Sequence, residues 1–151
     1  MDRAQEERYS RHIRLPQVGR AGQERLLAAR VLVVGLGGLG SPVALYLAAA
    51  GVGRLVLVDY DRVEASNLQR QVAHGDGDIG ALKVDSARET LARLNPGVAV
   101  ETVARVLEGP ELEAAVAAAD LVVDASDNFE TRFAVNRASV ATGTPLVSGA
   151  R

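Results

Sequence analysis

Val31-Leu32-Val33-Val34-Gly35-Leu36-Gly37-Gly38-Leu39-Gly40 is the stretch on which the fold turns. Its first four residues form a short apolar run of the kind that suits a strand buried on both faces. Four glycines within six positions then mark a turn in which the backbone itself can come close to a ligand. Ser41 to Ala50 follows with an Ala- and Leu-rich composition that reads as a helix. Strand, glycine turn and helix in that order begin a βαβ unit.

Residues 31 to 53 carry no charge and approach the roughly 20 residues a membrane span needs. Six glycines and Pro42 interrupt them, so strand plus turn plus helix is the better reading. Further strands are expected at 54–58, about 98–103, 120–124 and 145–148, with helices at about 39–50, 81–94, 110–119 and 129–142. Val84, Ala87, Leu91 and Leu94 give the second of these helices one apolar face, and Pro110 opens the third. The fold class is therefore α/β, a doubly wound, mainly parallel, Rossmann-like sheet. Residues 1–30 form an N-terminal helical segment rich in Glu and Arg, and 31–151 form the wound unit.

At 151 residues, 48% hydrophobic and 24% charged, the chain has the composition of one globular domain. Lys plus Arg number 17 against 19 Asp plus Glu, for a net charge of −2, which argues against a nucleic-acid-binding surface. Aromatics at 3% leave few platforms for stacking bases. Cysteine is absent, which leaves this sequence no disulfide, Cys-ligated zinc, thioester nucleophile or persulfide carrier. The charged start Met1 to Arg8 has no apolar stretch behind it, so the expected location is cytoplasmic, without a membrane partner.

Gly35, Gly37, Gly38 and Gly40 sit where G-x-G-x-x-G turns bring N–H groups to a phosphate chain. Asp59 ends the second strand, in the place where a carboxylate accepts hydrogen bonds from ribose hydroxyls. Together they indicate a nucleotide, and they suit NAD, FAD or an adenine nucleotide alike. The bland alternatives are glycines that only permit tight packing and an ordinary strand-end aspartate.

The residues beyond Asp59 bear on which nucleotide. Asp61 and the polar, cationic segment Ser66-Asn67-Leu68-Gln69-Arg70-Gln71 lie just past the second strand. Lys83 falls in the first turn of a helix, where the macrodipole disfavours a cation, so an anionic partner is one reading and a solvated surface lysine the other. Asp127 and Asn128 leave the fourth strand, where either could contact a metal or nucleotide or simply cap the next helix. His12 and His74 read as surface residues. The set offers two cations for a triphosphate, Arg70 and Lys83, a ribose carboxylate, Asp59, and a Mg²⁺ carboxylate, Asp127. Such a set could let an incoming carboxylate attack an α-phosphate with no protein nucleophile.

These residues resemble the ubiquitin-activating-enzyme-like adenylyltransferases, a family that includes bacterial activators of sulfur-carrier proteins in molybdopterin and thiamine biosynthesis. The match runs in order through Arg8-Tyr9-Ser10-Arg11-His12, the glycine turn, Leu57 to Asp61, Ser66 to Gln71, Gly80 to Lys83, Asn95-Pro96, Asp124 to Asn128, and Pro145 to Ala150. The resemblance implies ATP and Mg²⁺ as cofactors, with AMP joined to the C-terminal glycine carboxylate of a small ubiquitin-like carrier. It implies Gly38 near the phosphates, Asn67 with Arg70 and Lys83 around the triphosphate, and Arg11 reaching into the opposite subunit of a homodimer. Members continue past the position of Arg151 through a crossover loop and often zinc-binding Cys-x-x-Cys pairs, so 31–151 is expected to be an ATP-binding unit shortened at its C-terminus. A nicotinamide-dependent oxidoreductase, which Asn67, Arg70, Lys83 and Asp127 oppose, and a non-catalytic interaction module are the competing readings.

Overall fold

The computed structural model describes residues 1–149; Ala150, the end of the last family-like segment, and Arg151 lie outside them. The N-terminal segment forms three helices, α1 (Arg3–Arg8), α2 (Ser10–Ile13) and α3 (Gly19–Ala28). The rest alternates β1 (Arg30–Val34), α4 (Gly40–Ala50), β2 (Arg54–Val58), α5 (Lys83–Leu94), β3 (Ala99–Val103), α6 (Gly109–Ala117), β4 (Leu121–Asp124), α7 (Phe129–Thr142) and β5 (Leu146–Ser148). All pairings are parallel and the strand order is β3-β2-β1-β4-β5. Order therefore reverses between β1 and β4, the switch point outside which doubly wound sheets bind their ligands.

Strand alternation divides the core into two layers. Val31, Val33, Leu55, Leu57 and Val123 face α4 and α5, where Ala44, Ala48, Val84, Ala87 and Leu91 are buried. Leu32, Val34, Val56, Val58 and Val122 face the opposite layer, which holds Leu112, Val116, Val135 and Ala138. Both faces of β1, β2 and β4 are covered, as their uninterrupted apolar runs require, whereas the edge strands β3 and β5 are partly exposed, Val147 among them. Leu94 departs from its expected place on the apolar face of α5. It lies on the last turn and is exposed, because Asn95 turns the chain away there. No helix is long and apolar enough to cross a membrane among the described residues.

Tyr9 fastens the helical segment to this body. Its ring is buried, its hydroxyl accepts a hydrogen bond from Asn95 Nδ2 at 2.8 Å, and Asn95 Nδ2 also donates to the Ala48 carbonyl at 2.8 Å. Gln23, fully buried, donates from Nε2 to the Ala50 carbonyl. Ala48, Ala50 and Asn95 mark the carboxyl ends of α4 and α5. The segment is thus docked at the amino edge of the sheet, opposite the glycine turn.

Candidate functional site

Each glycine of the turn between β1 and α4 has its own reason. Gly35 adopts φ +96°, and a Cβ there would stand 2.8 Å from the Ala125 carbonyl oxygen. A Cβ on Gly40 would lie 1.7 Å from the Gly35 carbonyl oxygen, so any side chain pries the turn open. Gly37 has more room, with Gln71 Nε2 3.6 Å from the corresponding point. The N–H groups of Gly37 and Gly38 donate to no protein group among the described residues, and no side chain caps α4. Uncapped N–H groups at a helix start form an anion site.

Asp59 holds this turn from the side. Its Oδ2 accepts from Leu36 N and its Oδ1 from Asp61 N, both at 2.8 Å. A carboxylate has about four acceptor positions, so room remains for a ribose hydroxyl. Residues 61–63 then run antiparallel to 80–83. Val63 N donates to Ala81 O, Gly80 N to Val63 O, and Lys83 N to Asp61 O. This pairing delivers Lys83, only 6% exposed, to the carboxyl edge, with Nζ 3.7 Å from Asp61 Oδ2. Lys83 is therefore no solvated surface lysine. At that distance the pair is ionic without a hydrogen bond, so the ammonium donors stay available to an anion.

The segment after Asp61 folds over the turn. Asn67 Oδ1 accepts from Glu64 N, closing a short 3-10 helix at Ala65–Asn67, and the Arg70 guanidinium donates to the Ser66 carbonyl at 3.1 Å. Ser66 and Gln69 are exposed and Leu68 is half-buried. Gln71 is buried beside Gly37, with its Oε1 lacking a partner among the described residues and so open to a donor from a ligand. Arg70 shares this segment and is exposed at the same edge.

The loop after β4 closes the other side. Ala125 N donates to Val34 O, bringing 124–128 against the turn. Asp124 is fully buried, its Oδ1 accepting from Ser126 N and Oγ. Asn128 caps α7 by accepting from Thr131 N at 2.8 Å, the role that stood as the alternative to nucleotide contact. Asp127 is exposed and is not the cap. Among the described residues no group of three or more His, Cys, Asp or Glu could hold a metal alone. Mg²⁺ on a nucleotide needs only one or two carboxylates beside the phosphates, so an exposed Asp127 at this edge fits it.

Of the candidate residues, the structure gathers the glycines, Asp59, Asp61, Ser66–Arg70, Lys83, Asp127 and Asn128 at one edge, and leaves Arg11 elsewhere. Arg11 is exposed on α2, next to Tyr9 and hence at the amino edge. The 11 residues of α4 separate the two edges by roughly 16 Å, a span no arginine side chain covers. His74 corrects the sequence reading, being buried at 7% exposure with both ring nitrogens engaged, by Ser86 Oγ at 2.7 Å and the Leu36 carbonyl at 3.2 Å. Burial lowers its pKa below the usual imidazole value, opposed by the bond to Leu36 O. No local pattern around His74 announces this, because both partners are distant in sequence.

A parallel sheet with this strand order and an open glycine turn at its switch point define the doubly wound class. Residues 9–151 match the ThiF family, and the chain belongs to it. It is 53% identical over 150 residues to the SAMP-activating enzyme E1 of Haloferax volcanii, covering 99% of this chain and 56% of that one. It is 50% identical over 143 residues to the molybdopterin-synthase adenylyltransferase of Escherichia coli, covering 95% and 57%. Among solved structures, the E. coli tRNA N6-threonylcarbamoyladenosine dehydratase TcdA in complex with ATP superimposes with a TM-score of 0.91 at 27% identity, covering 97% of this chain and 60% of that one. The chain spans a little over half the length of these curated relatives.

Proposed function

We propose that this chain is the nucleotide half of an enzyme that uses ATP to adenylate the C-terminal glycine carboxylate of a small ubiquitin-like sulfur-carrier protein, releasing pyrophosphate. The observation that carries the reading is Lys83, a buried cation held at the start of α5 beside Asp61 and the glycine turn. Its ammonium stands 3.7 Å from Asp61, too far for a hydrogen bond, so its donors can take the oxygens of a triphosphate. The adenylyltransferase relatives support the same reaction.

In this reading the turn N–H groups and the start of α4 take phosphate oxygens, while Asp59 takes the ribose. A carrier carboxylate oxygen attacks the α-phosphorus, a P–O bond forms, and the bond to the bridging oxygen of the leaving pyrophosphate breaks. Arg70 and Lys83 neutralise charge as it gathers on that leaving group, so the protein contributes position and electrostatics. Asp127 would hold Mg²⁺, which would supply further charge neutralisation. Arg11 cannot reach the edge of its own subunit, which favours a homodimer in which it serves the partner's site. A cytoplasmic setting follows from the same reading.

The test is ATP–pyrophosphate exchange with a sulfur-carrier protein, alongside calorimetric titration with ATP and with NAD. Carrier-dependent exchange, and ATP binding that weakens about tenfold or more in Arg70→Ala combined with Lys83→Ala, is the expected result. Tighter binding of NAD, or ATP affinity untouched by the double variant, overturns it.

A further inference from the structure

We propose that His74 is a positioning residue for the nucleotide, fixing the direction in which the Gly37 N–H points. The inference rests on the adenylation reading and deepens it.

The Leu36 carbonyl is an acceptor only, so the 3.2 Å contact assigns the imidazole proton to Nε2. Nδ1 is then the acceptor, and Ser86 Oγ donates to it at 2.7 Å. Ser41 Oγ donates to the same Leu36 carbonyl at 3.1 Å, so that oxygen is held inward by two buried side chains. Leu36 and Gly37 are joined by a trans peptide, in which C=O and N–H point in opposite directions. Holding the Leu36 carbonyl inward therefore turns the Gly37 N–H outward, where it has no protein partner among the described residues. A glycine turn is soft enough to need this, since without the inward bonds the 36–37 peptide can rotate and present its carbonyl to a phosphate. Ser86 lies on α5 three residues after Lys83, so the same chain of bonds ties the turn to the helix that carries the buried cation.

Two amide replacements separate positioning from mere filling of the space. His74→Gln keeps a donor the same number of bonds from the backbone as Nε2, whereas His74→Asn keeps only a group at the Nδ1 place, within reach of Ser86 and short of Leu36. ATP is titrated calorimetrically into the wild type and both variants, with the Gly37 amide followed by NMR. The expected result is ATP affinity within about threefold of wild type for His74→Gln and about tenfold or more weaker for His74→Asn, with the free Gly37 amide resonance displaced only in His74→Asn. Equal affinities in both variants, or His74→Asn binding better than His74→Gln, overturn the inference and leave the adenylation reading standing. Failure of the wild type to bind ATP overturns both. Should His74→Asn not fold, imidazole NMR of the wild type decides: a neutral, Nε2-protonated ring that shifts on ATP addition supports the proposal, and an Nδ1-protonated ring or one indifferent to ATP refutes it.

Discussion

The Tyr9 hydroxyl and the Asn95 side chain, 86 positions apart, meet at 2.8 Å and bind the N-terminal helices to the sheet. Both residues are buried, so losing one partner strands the other. Tyr9→Phe is expected to cost about 1 kcal/mol and Asn95→Ala about 2–3 kcal/mol, since the latter also strips the Ala48 carbonyl of its donor. Gly51→Ala is expected to be worse than either. Its φ is +86° and its Cβ would lie 2.6 Å from the Tyr9 ring, so the ring must leave its pocket. Urea unfolding of the three variants checks the order.

Asp127 and Asn128 are adjacent and predicted to fail differently. Asn128 caps α7, so Asn128→Ala is expected to lower stability by about 1 kcal/mol. Asp127 caps nothing, so Asp127→Asn is expected to leave thermal stability unchanged while adenylation falls roughly a hundredfold through loss of the charge that a hard cation prefers. Pyrophosphate exchange across a Mg²⁺ titration, in a full-length protein with its carrier, reads the second effect. Wild-type rates with an unchanged Mg²⁺ midpoint would remove the metal role.

Arg11 on the amino edge and Lys83 on the carboxyl edge predict complementation. In a dimer mixed from Arg11→Ala and Lys83→Ala subunits, one site carries both defects and the other neither. Two inactive proteins, mixed and allowed to exchange subunits, should regain about a quarter of wild-type activity, because half the dimers are mixed and each has one intact site. Activity that stays absent after verified exchange, or a protein monomeric at micromolar concentration, rules out the trans role.

His74 should leave a signature in the pH dependence of stability. Its folded pKa lies below the unfolded value, mainly through burial, with Lys83 also disfavouring the charged ring and Asp78 and Asp59 favouring it. The unfolded chain therefore binds this proton first. Stability from the site is complete above about pH 6.5, the unfolded value, and declines as pH falls below it until the folded ring also protonates. Comparing urea midpoints between pH 7.5 and 5.5, the decline should be smaller in His74→Gln, which has no such group. An identical decline in both proteins would assign it to other residues.

The sequence by itself determined the wound sheet, because the unbroken apolar runs of β1, β2 and β4 are satisfied only by burial on both faces, and glycine and proline punctuate strands and helices locally. It also determined the tight turn after β1, since Gly35 and Gly40 are demanded by a positive φ and a backbone approach that belong to the turn itself. What only the tertiary structure decided depends on contacts between segments far apart in the chain. The pairing of residues 61–63 with 80–83 turned Lys83 from an ambiguous helix-start lysine into a buried cation at the site. Asn128 took the cap and freed Asp127, a choice between neighbours that composition could not make. The docking of Tyr9 on Asn95 put Arg11 at the far edge, and the packing of α5 drew His74 from an apparent surface loop onto the Leu36 carbonyl. Local preferences are written in neighbouring residues, whereas the partner of a buried polar group is fixed only when the chain has folded around it.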